Sequence, residues 1–460
     1  MSSAVDGLVS GLNTSSLISQ LMQVEAAPQT RLKSKVSDAQ TAVASYQSVN
    51  SKMSALKTAA DDLGQLSTWR AIKATSSSAT VTATAVAGTN TAAGTTTFDV
   101  KALAKSQITT AKVDPTANVT TGGTISITIG PPDADGVDNS AKRTQYDIAL
   151  TDMTAKGVAD AVNAKGIGVK ATVVTTGGAQ NILQFSGTKT GAANAFTISG
   201  FDPPTTDVAQ AGDALLQIGG GEDPNDPTKT GYNVVSSSNT FTGLLTGVTV
   251  TVSKLEDGVT VDATQDVGGI AGKFQAMVDA ANAALTEIGA QTAYDSSTNQ
   301  GSPLTGDFAV RNMAQTILSA VSKGLTYPDP NSTAQNPLPD VNFGSLAQIG
   351  IQLDSTGKLA FNADKFTANY NANPTYYQQS GTALGNSFST LAGTQSSSLT
   401  AVITGRNSEI DLFNTQISDW DVRLGAKKEA LQKQYADLEV ALGKLKDQSS
   451  WLSGQLAGLS

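Results

Sequence analysis

The most regular hydrophobic pattern lies in the last part of the chain, from about Leu399 to Ser460. Apolar residues recur there at alternating steps of three and four, the spacing of a helix in a coiled coil. The spacing shifts near Lys427 in a way that is typical of a locally unwound supercoil. At 1.5 Å per residue the predicted helix is roughly 70 Å or more in length, so it needs a partner along its course. The stripe comprises Ile403, Ile410, Phe413, Ile417, Trp420, Leu424, Leu431, Tyr435, Leu438, Leu442, Leu445, Leu452, Leu456 and Leu459.

A second stripe near the start of the chain predicts that partner. Pro28 stands where a first helical residue is tolerated, and Gly64 stands where a helix can end. We therefore predict that the two terminal helices pair as a coiled-coil stalk. The alternative is that each amphipathic helix packs separately on a globular domain. The second stripe comprises Leu32, Val36, Ala39, Val43, Tyr46, Val49, Met53, Leu56, Ala60 and Leu63.

A shorter helix is expected before the stalk. Asn13, Thr14 and Ser15 are residue types that cap helix N-termini. They are followed at helical spacing by Leu17 and Leu21. We expect this helix to end before Pro28.

The middle of the chain changes to strand-like patterns. Runs rich in Thr, Val and Ile, broken by Gly, Asn and Pro, predict antiparallel β-modules at 80–86, 97–103, 124–129, 169–174 and 246–264. The loops between 113 and 232 are rich in Pro, Gly and Asp, as expected for a separate inserted unit. A helix over Asp307–Val321 and a hairpin turning at 354–357 are predicted further on.

These patterns together predict an α+β multidomain fold, with nested antiparallel β-rich domains between the terminal helices. We expect four parts. Residues 1–40 with 415–460 would form a terminal coiled-coil leg, and 41–72 with 266–414 a helical stalk and head. Residues 73–112 with 233–265 would form one β-rich domain, and 113–232 a β-rich domain inserted into it.

Composition and charge narrow the function classes. The 460 residues include 30 Lys plus Arg and 39 Asp plus Glu, for a formal net charge of -9. No basic stripe is interleaved with aromatic residues, which argues against nucleic-acid binding. No segment approaches the roughly 18 consecutive apolar residues that a membrane-spanning helix needs. Residues 1–10 lack the basic and apolar regions of a secretory signal peptide.

Candidate catalytic chemistry is sparse. The sequence contains no histidine and no cysteine, which excludes Ser-His-Asp triads, thiol nucleophiles and thiolate metal sites. The run 268–273 resembles a phosphate-binding loop only faintly, because Val267 and Phe274 replace its required glycine and Ser/Thr. Asp133, Asp135 and Asp138 lack the ligand spacing of a calcium loop. We therefore expect no enzyme activity, no metal and no cofactor.

Several local runs resemble one family. The opening 7–14, the run 17–22 and the residues Glu25, Pro28 and Arg31-Leu32 are similar to the N-terminal signature of the bacterial flagellar filament cap family, also called hook-associated protein 2. The runs 302–307 with 310–311, and 349–351 with Gly357, Leu359 and Asp364, resemble two further stretches of that family. The order of these runs along the chain carries the resemblance.

The resemblance implies a structural role at the distal end of the bacterial flagellar filament. It implies a ring, commonly of five subunits, that retains exported flagellin and promotes its folding. The implied partners are copies of the chain itself, flagellin, hook–filament junction proteins and a flagellar export chaperone. The implied location is extracellular, after export by the flagellar type III apparatus without a cleavable signal peptide. Another secreted axial subunit, or a filament-tip adhesin, is the alternative.

The terminal stripes are the candidate assembly surface. Glycines such as Gly405, Gly425 and Gly443 each cost roughly 1 kcal/mol of helix stability. We expect the termini to be largely disordered in the monomer and to become ordered on assembly. An ion pair between Glu429 and Lys433 is expected on the same helix. The candidate interface residues are Leu17, Leu21, Leu32, Val36, Ile410, Phe413, Ile417, Trp420, Leu424, Leu431, Tyr435, Leu438, Leu442, Leu445, Trp451 and Leu452.

Overall fold

The computed structural model describes residues 11, 13–86, 93–133, 138–220 and 231–457. The motif residues 7–10 and Leu12, together with Asp135 and Leu459, lie outside the described residues. The chain divides into two compact units. The first unit joins Met1–Leu66 to Gly268–Ser460, and the second unit is Ser67–Val267.

The predicted helices and strands are present in the predicted order, together with further elements that the patterns did not indicate. The α-helices are α1 (Thr14–Glu25), α2 (Ala27–Gly64), α3 (Leu66–Trp69), α4 (Ala155–Lys165), α5 (Val267–Thr292), α6 (Phe308–Ser322), α7 (Ala363–Ala372) and α8 (Pro374–Ala457). The strands of the second unit are β1 (Ile72–Ser76), β2 (Val81–Ala85), β3 (Gly94–Ala102), β4 (Ile108–Val113), β5 (Thr124–Ile129), β6 (Thr144–Ala149), β7 (Val169–Val174), β8 (Asn181–Gly187), β9 (Phe196–Ser199), β10 (Thr205–Ala209), β11 (Ala214–Ile218), β12 (Tyr232–Ser236), β13 (Thr240–Leu245), β14 (Val248–Val252) and β15 (Glu256–Gln265). The first unit adds β16 (Tyr294–Asp295), β17 (Gln300–Gly301), β18 (Leu325–Tyr327), β19 (Val341–Gly344), β20 (Ile351–Leu353) and β21 (Leu359–Phe361).

The predicted starts of the two N-terminal helices, α1 and α2, are confirmed. The Asn13 side chain accepts a hydrogen bond from the Ser16 backbone N–H at 2.8 Å and so caps α1. Pro28 lies in the first turn of α2, where its missing N–H costs nothing.

Helix α8 begins at Pro374, earlier than the start near Leu399 that the stripe predicts. Small residues are buried in this added stretch, among them Ser380, Gly381 and Gly385. Such residues break an apolar stripe, so packing rather than periodicity identifies the first turns of α8.

Aromatic side chains form part of the core of the first unit. The Phe274 ring of α5 lies 4.8 Å from the ring of Phe366 and 5.6 Å from the ring of Phe361. Phe361 belongs to the hairpin of β20 and β21, in which Leu353 pairs with Leu359 across the predicted turn. The hairpin prediction is therefore confirmed, and its apolar residues are anchored against α5.

The second unit contains two cores. One core lies between the five-stranded sheet β1-β15-β3-β11-β12 and the three-stranded sheet β13-β14-β2. Strands far apart in sequence pair in it, since Val248 of β14 faces Ala85 of β2. The prediction that the returning strands complete the interrupted module is confirmed.

We call the part of the unit around this first core the outer module and the part around the second core the inner module. The sheets of the inner module have the orders β10-β4-β8-β7 and β6-β5-β9, and α4 packs with them. The inner module does not have the expected boundaries of 113–232. Strand β4 packs in the inner module, and β11 packs in the outer module. Strand composition does not say which sheet a strand joins, so these boundaries could not be placed from the sequence. The α+β fold class with nested antiparallel domains is confirmed, whereas the four-part division stays a prediction.

Candidate assembly interface

Helices α2 and α8 form an antiparallel pair with a constant register. The Gln29 Nε2 atom donates to Asp421 Oδ1 at 2.5 Å near one end. Asn50 Nδ2 donates to Thr400 Oγ1 at 3.4 Å in the middle, and Ser389 Oγ donates to Asp61 Oδ1 near the other end. Each step up α2 is matched by an equal step down α8, so the stalk pairing predicted from the two stripes is present within one chain.

The packing of the pair weakens along its length. The second half of α2 is buried, including Val49, Met53 and Leu56, none of which has any exposed surface. Towards the start of α2 the predicted interface residues Leu32 and Val36 are only half-buried. On α8, Ile410 is the last buried residue within the part of the helix that the structure describes. The outer part of the stalk therefore has apolar surface left over.

Polar side chains meet in the middle of the interface between α2 and α8. Ser396 Oγ donates to Asn50 Oδ1 at 2.6 Å and lies 3.4 Å from Ser54 Oγ. Lys57 and Asp61 form an ion pair at 2.6 Å on α2, where the Ser389 hydroxyl also reaches Asp61. The lysine and the hydroxyl hold the pKa of Asp61 below its ordinary value. Small polar side chains allow close approach of the helices but contribute less burial than leucine would.

The backbones of α2 and α8 come very close together at Gly64 and Gly385. A Cβ atom on Gly385 would lie 2.5 Å from the Gly64 nitrogen and 2.8 Å from the Ala60 carbonyl oxygen. These atoms belong to the backbone of α2 and cannot rotate away. Glycine is therefore required at position 385 by contact rather than by its backbone angles.

A polar node ties the pair to α6. The Tyr46 hydroxyl of α2 donates to Asp307 Oδ2 at 2.5 Å, and Asp307 Oδ1 accepts from the Val310 N–H as the N-cap of α6. Arg406 of α8 interacts with Tyr46 and pairs with Glu409 at 2.8 Å. Burial, followed by the hydrogen bond to Asp307, raises the pKa of the Tyr46 phenol. No periodicity signals such a node, although Asp307 ends the 302–307 motif.

The end of α8 carries exposed apolar residues. Lys427 of α8 contacts Glu25 of α1 at 3.7 Å, and because α2 begins at Ala27 its pairing with α8 ends near this point. Helix α1 also packs on α8. We call Leu438, Leu442, Leu445, Leu452 and Leu456 the distal stripe. Leu442 is half-buried, whereas Leu438, Leu445, Leu452 and Leu456 are exposed by 44%, 60%, 56% and 62%. Leucines repeated at this spacing on a helix are typical of a helix that packs on another protein surface.

The predicted interface residues fall into three groups. Ile410 is buried within the chain. A second group is half-buried: Leu32, Val36, Phe413, Ile417, Trp420, Leu424, Leu431, Tyr435 and Leu442. The exposed group is Leu17, Leu21, Leu438, Leu445, Trp451 and Leu452. The role of these residues in assembly stays a prediction. The exposed group has the side chains that a partner could reach most directly.

Two predicted features of α8 can be compared with its side chains: the ion pair between Glu429 and Lys433, and the interface residue Trp420. Among the described residues, the ion pair expected between Glu429 and Lys433 is not formed. An exposed pair gains little over separate hydration and loses side-chain entropy, which explains its absence. Trp420 is half-buried and has the Arg423 guanidinium 5.7 Å from its ring centroid, so its ring is already partly covered.

Comparison with known proteins agrees with this architecture. The sequence-family model for the flagellar hook-associated protein 2 C-terminus matches residues 213–447 of this chain. The family model for the N-terminus of that protein matches residues 10–107. The chain belongs to the flagellar hook-associated protein 2 family. The two matches contain all of α2 and the part of α8 up to residue 447, whereas most of the inner module lies between them. The resemblance noted in the sequence is thereby confirmed.

Individual relatives share this assignment. The flagellar hook-associated protein 2 of Escherichia coli (strain K12) is 26% identical over 380 residues, which cover 79% of this chain and 76% of the relative. The lateral flagellar hook-associated protein 2 of Vibrio parahaemolyticus is 26% identical over 278 residues, or 56% of this chain and 55% of the relative. The crystal structure of the D1-D2-D3 domains of the Escherichia coli flagellar cap protein FliD superposes with a TM-score of 0.54 at 22% identity. It covers 79% of this chain and 99% of that one, and shows that the fold is shared.

Proposed function

We propose that this protein caps the distal end of the bacterial flagellar filament, where it retains exported flagellin and promotes its folding and insertion. The observation that carries the proposal is the distal stripe, a row of leucines on a long helix that extends beyond its partner in the chain. A capping protein needs such a surface to grip a filament end. Family membership supports the same role.

We further propose that the working form is a homo-oligomeric ring, of five subunits by resemblance to the family. The exposed residues Leu17 and Leu21 of α1 and Trp451 beside the distal stripe are the proposed contacts to neighbouring subunits or to flagellin. Hook–filament junction proteins and a flagellar export chaperone are the remaining proposed partners. The proposed location is the extracellular filament tip, reached through the flagellar export apparatus.

The role is proposed to be structural and not catalytic. Among the described residues no cluster of three or more acidic side chains is placed to hold a metal ion. Lys273, in the faint phosphate-loop run, lies within α5 and pairs with Asp62 at 2.7 Å. In the described part of the chain, no helix is both long and apolar enough to cross a bilayer. Another axial subunit of the flagellum is not favoured, because the matched models are those of hook-associated protein 2.

Electron microscopy of labelled protein with preformed flagellin filaments tests this proposal. We expect label at one end of each filament and none along its side, with end views that give the subunit number. Label spread along the filament would support a copolymerising axial subunit instead. Folded protein that binds no part of the filament would overturn the proposal.

A further inference from the structure

The inner module contains a surface cavity whose chemistry the capping role does not use. The cavity has a volume of 490 Å³, within the range of small-molecule sites. Parts of β5, β6 and β7 and the loops that follow α4 and β8 form its wall. Its lining residues are Ile129, Tyr146, Gly166, Ile167, Gly168, Val169, Lys170, Thr188, Lys189 and Asn194.

The charge of the lining differs from that of the whole protein. The chain carries a net charge of -9, yet Lys170 and Lys189 both line the cavity and none of the lining residues is acidic. Neither ammonium group forms an ion pair or hydrogen bond with another described residue. Two unpaired cations at one cavity favour a ligand with a carboxylate or sulfate group.

The floor of the cavity adds apolar surface and hydrogen-bonding groups. Ile129, Tyr146 and Ile167 are half-buried, so the ring of a ligand can pack on their exposed surface without a rearrangement of the module. The Tyr146 hydroxyl makes no hydrogen bond to another described residue. Asn194 donates its Nδ2 to the Thr190 carbonyl at 2.7 Å, which leaves its Oδ1 as an acceptor. Acceptors and donors beside an apolar floor suit a hydroxylated ring.

The wall of the cavity is held in place before any ligand binds. Both the backbone N–H and the hydroxyl of Thr188 donate to the Gly168 carbonyl at 2.9 Å and join the two loops. Gly166 and Gly168 have φ angles of +65° and +89°, which glycine adopts without strain. A preformed wall reduces the ordering cost of binding.

We propose that this cavity binds one acidic sugar unit, with its anionic group between Lys170 and Lys189 and its ring on Tyr146 and Ile129. The proposal does not depend on the capping role. A sugar at the end of a larger glycan would offer the same chemistry as a free sugar acid. The anomeric position of the bound unit distinguishes these two sources.

Calorimetric titration of the full chain with glucuronate tests the proposal, with glucose and acetate as matched ligands that lack the charge or the ring. We expect saturable binding of glucuronate that weakens with added salt, and at least about tenfold weaker binding of either control. Methyl glucuronide that binds as well as glucuronate would indicate a terminal glycan unit, and binding of the free acid alone would indicate a free sugar. Absence of saturable glucuronate binding, or equal binding of acetate, would overturn the proposal.

Two exposed lysines can be changed without disturbing the core. The double variant K170Q/K189Q is expected to lower glucuronate affinity by at least about tenfold. The matched control is K112Q, which removes an exposed lysine of β4 in the same module away from the cavity. Backbone amide shifts of 166–170 and 188–189 on titration of the unaltered protein provide a second readout. Equal affinity of the double variant, or amide shifts elsewhere only, would contradict the assigned site.

Discussion

The contact between Gly64 and Gly385 shows how a single missing methyl group sets the distance between two long helices. Alanine at position 385 would press its Cβ against the α2 backbone, 2.5 Å from the Gly64 nitrogen. We expect Gly385→Ala to lower the free energy of unfolding of the first unit by about 1–3 kcal/mol, as overpacking does. Urea denaturation followed by circular dichroism measures the change.

Gly405 supplies the matched control on the same helix. A Cβ at this position would meet no atom within 4 Å, so only helix propensity changes. Gly405→Ala should raise the free energy of unfolding by about 0.5–1 kcal/mol. Equal effects of the two substitutions would show that α2 and α8 are not in close contact at Gly385.

Tyr46 gives the fold a sensitivity to alkaline pH. Its phenol has a pKa raised above 10.0, first by burial and then by its hydrogen bond to Asp307. The folded state therefore favours the neutral phenol. The stabilisation is complete below the ordinary tyrosine pKa and is lost as pH rises through the raised value.

The variant Tyr46→Phe removes both the hydroxyl and its titration. We expect it to lower the free energy of unfolding by about 1.5–3 kcal/mol at neutral pH, because the carboxylate of Asp307 loses a donor. The difference in the free energy of unfolding between the unaltered protein and the variant should shrink as pH rises above 10.0. A difference that stays constant from pH 7 to 11 would contradict the assigned hydrogen bond.

At the scale of elements, the stability of α8 should follow the packing described above. Residues 384–410 include most of its buried positions, whereas residues 440–457 are exposed except for the half-buried Leu442 and Gly443, and they also include Gly454. An unpartnered helix diluted with glycine is marginal in water. The second stretch should therefore exchange its amide hydrogens far faster than the first in the isolated protein.

Hydrogen exchange read by mass spectrometry checks this expectation. Addition of filaments should slow exchange in 440–457 and leave 384–410 unchanged, because only the outer stretch gains contacts. The matched control is the protein alone at the same concentration and time points. Protection of 440–457 equal to that of 384–410 before any partner is added would contradict disorder of this terminus in the monomer.

The periodic elements were predictable from the sequence, because local pattern alone specifies them. Strands β5 and β7 and the hairpin at 354–357 were found in this way, as were α2 and α6. The start of α8 was not, since Ser380 and Gly385 become buried through contact with other elements. The sequence patterns also did not predict the Tyr46–Asp307–Arg406 node, because it joins residues that are far apart in sequence. Apolar spacing located the distal stripe, but only the described structure shows that four of its five leucines stay exposed beyond the pairing of α2 with α8.

At the scale of the whole molecule, the second unit should fold by itself. Residues Ser67–Val267 contain both the outer and the inner core of that unit. We expect this fragment to unfold cooperatively in urea with a β-rich circular dichroism spectrum. Phe185→Ala, at a fully buried site of the inner module, should remove about 3–5 kcal/mol. A fragment without a cooperative transition would show that the second unit depends on the rest of the chain.

The central claim is that the distal stripe grips the filament end. The test compares Leu445→Ser/Leu452→Ser with Leu412→Ser/Val422→Ser, whose residues are 57% and 73% exposed on the part of α8 that runs beside α2. The measurement is the fraction of filament ends that carry labelled protein, counted by electron microscopy over a range of concentrations. We predict that the stripe variant needs at least about ten times more protein for half occupancy, because each lost leucine contact is worth about 1.5–3 kcal/mol. The control variant should bind as the unaltered protein does, and equal binding of both variants would contradict the claim.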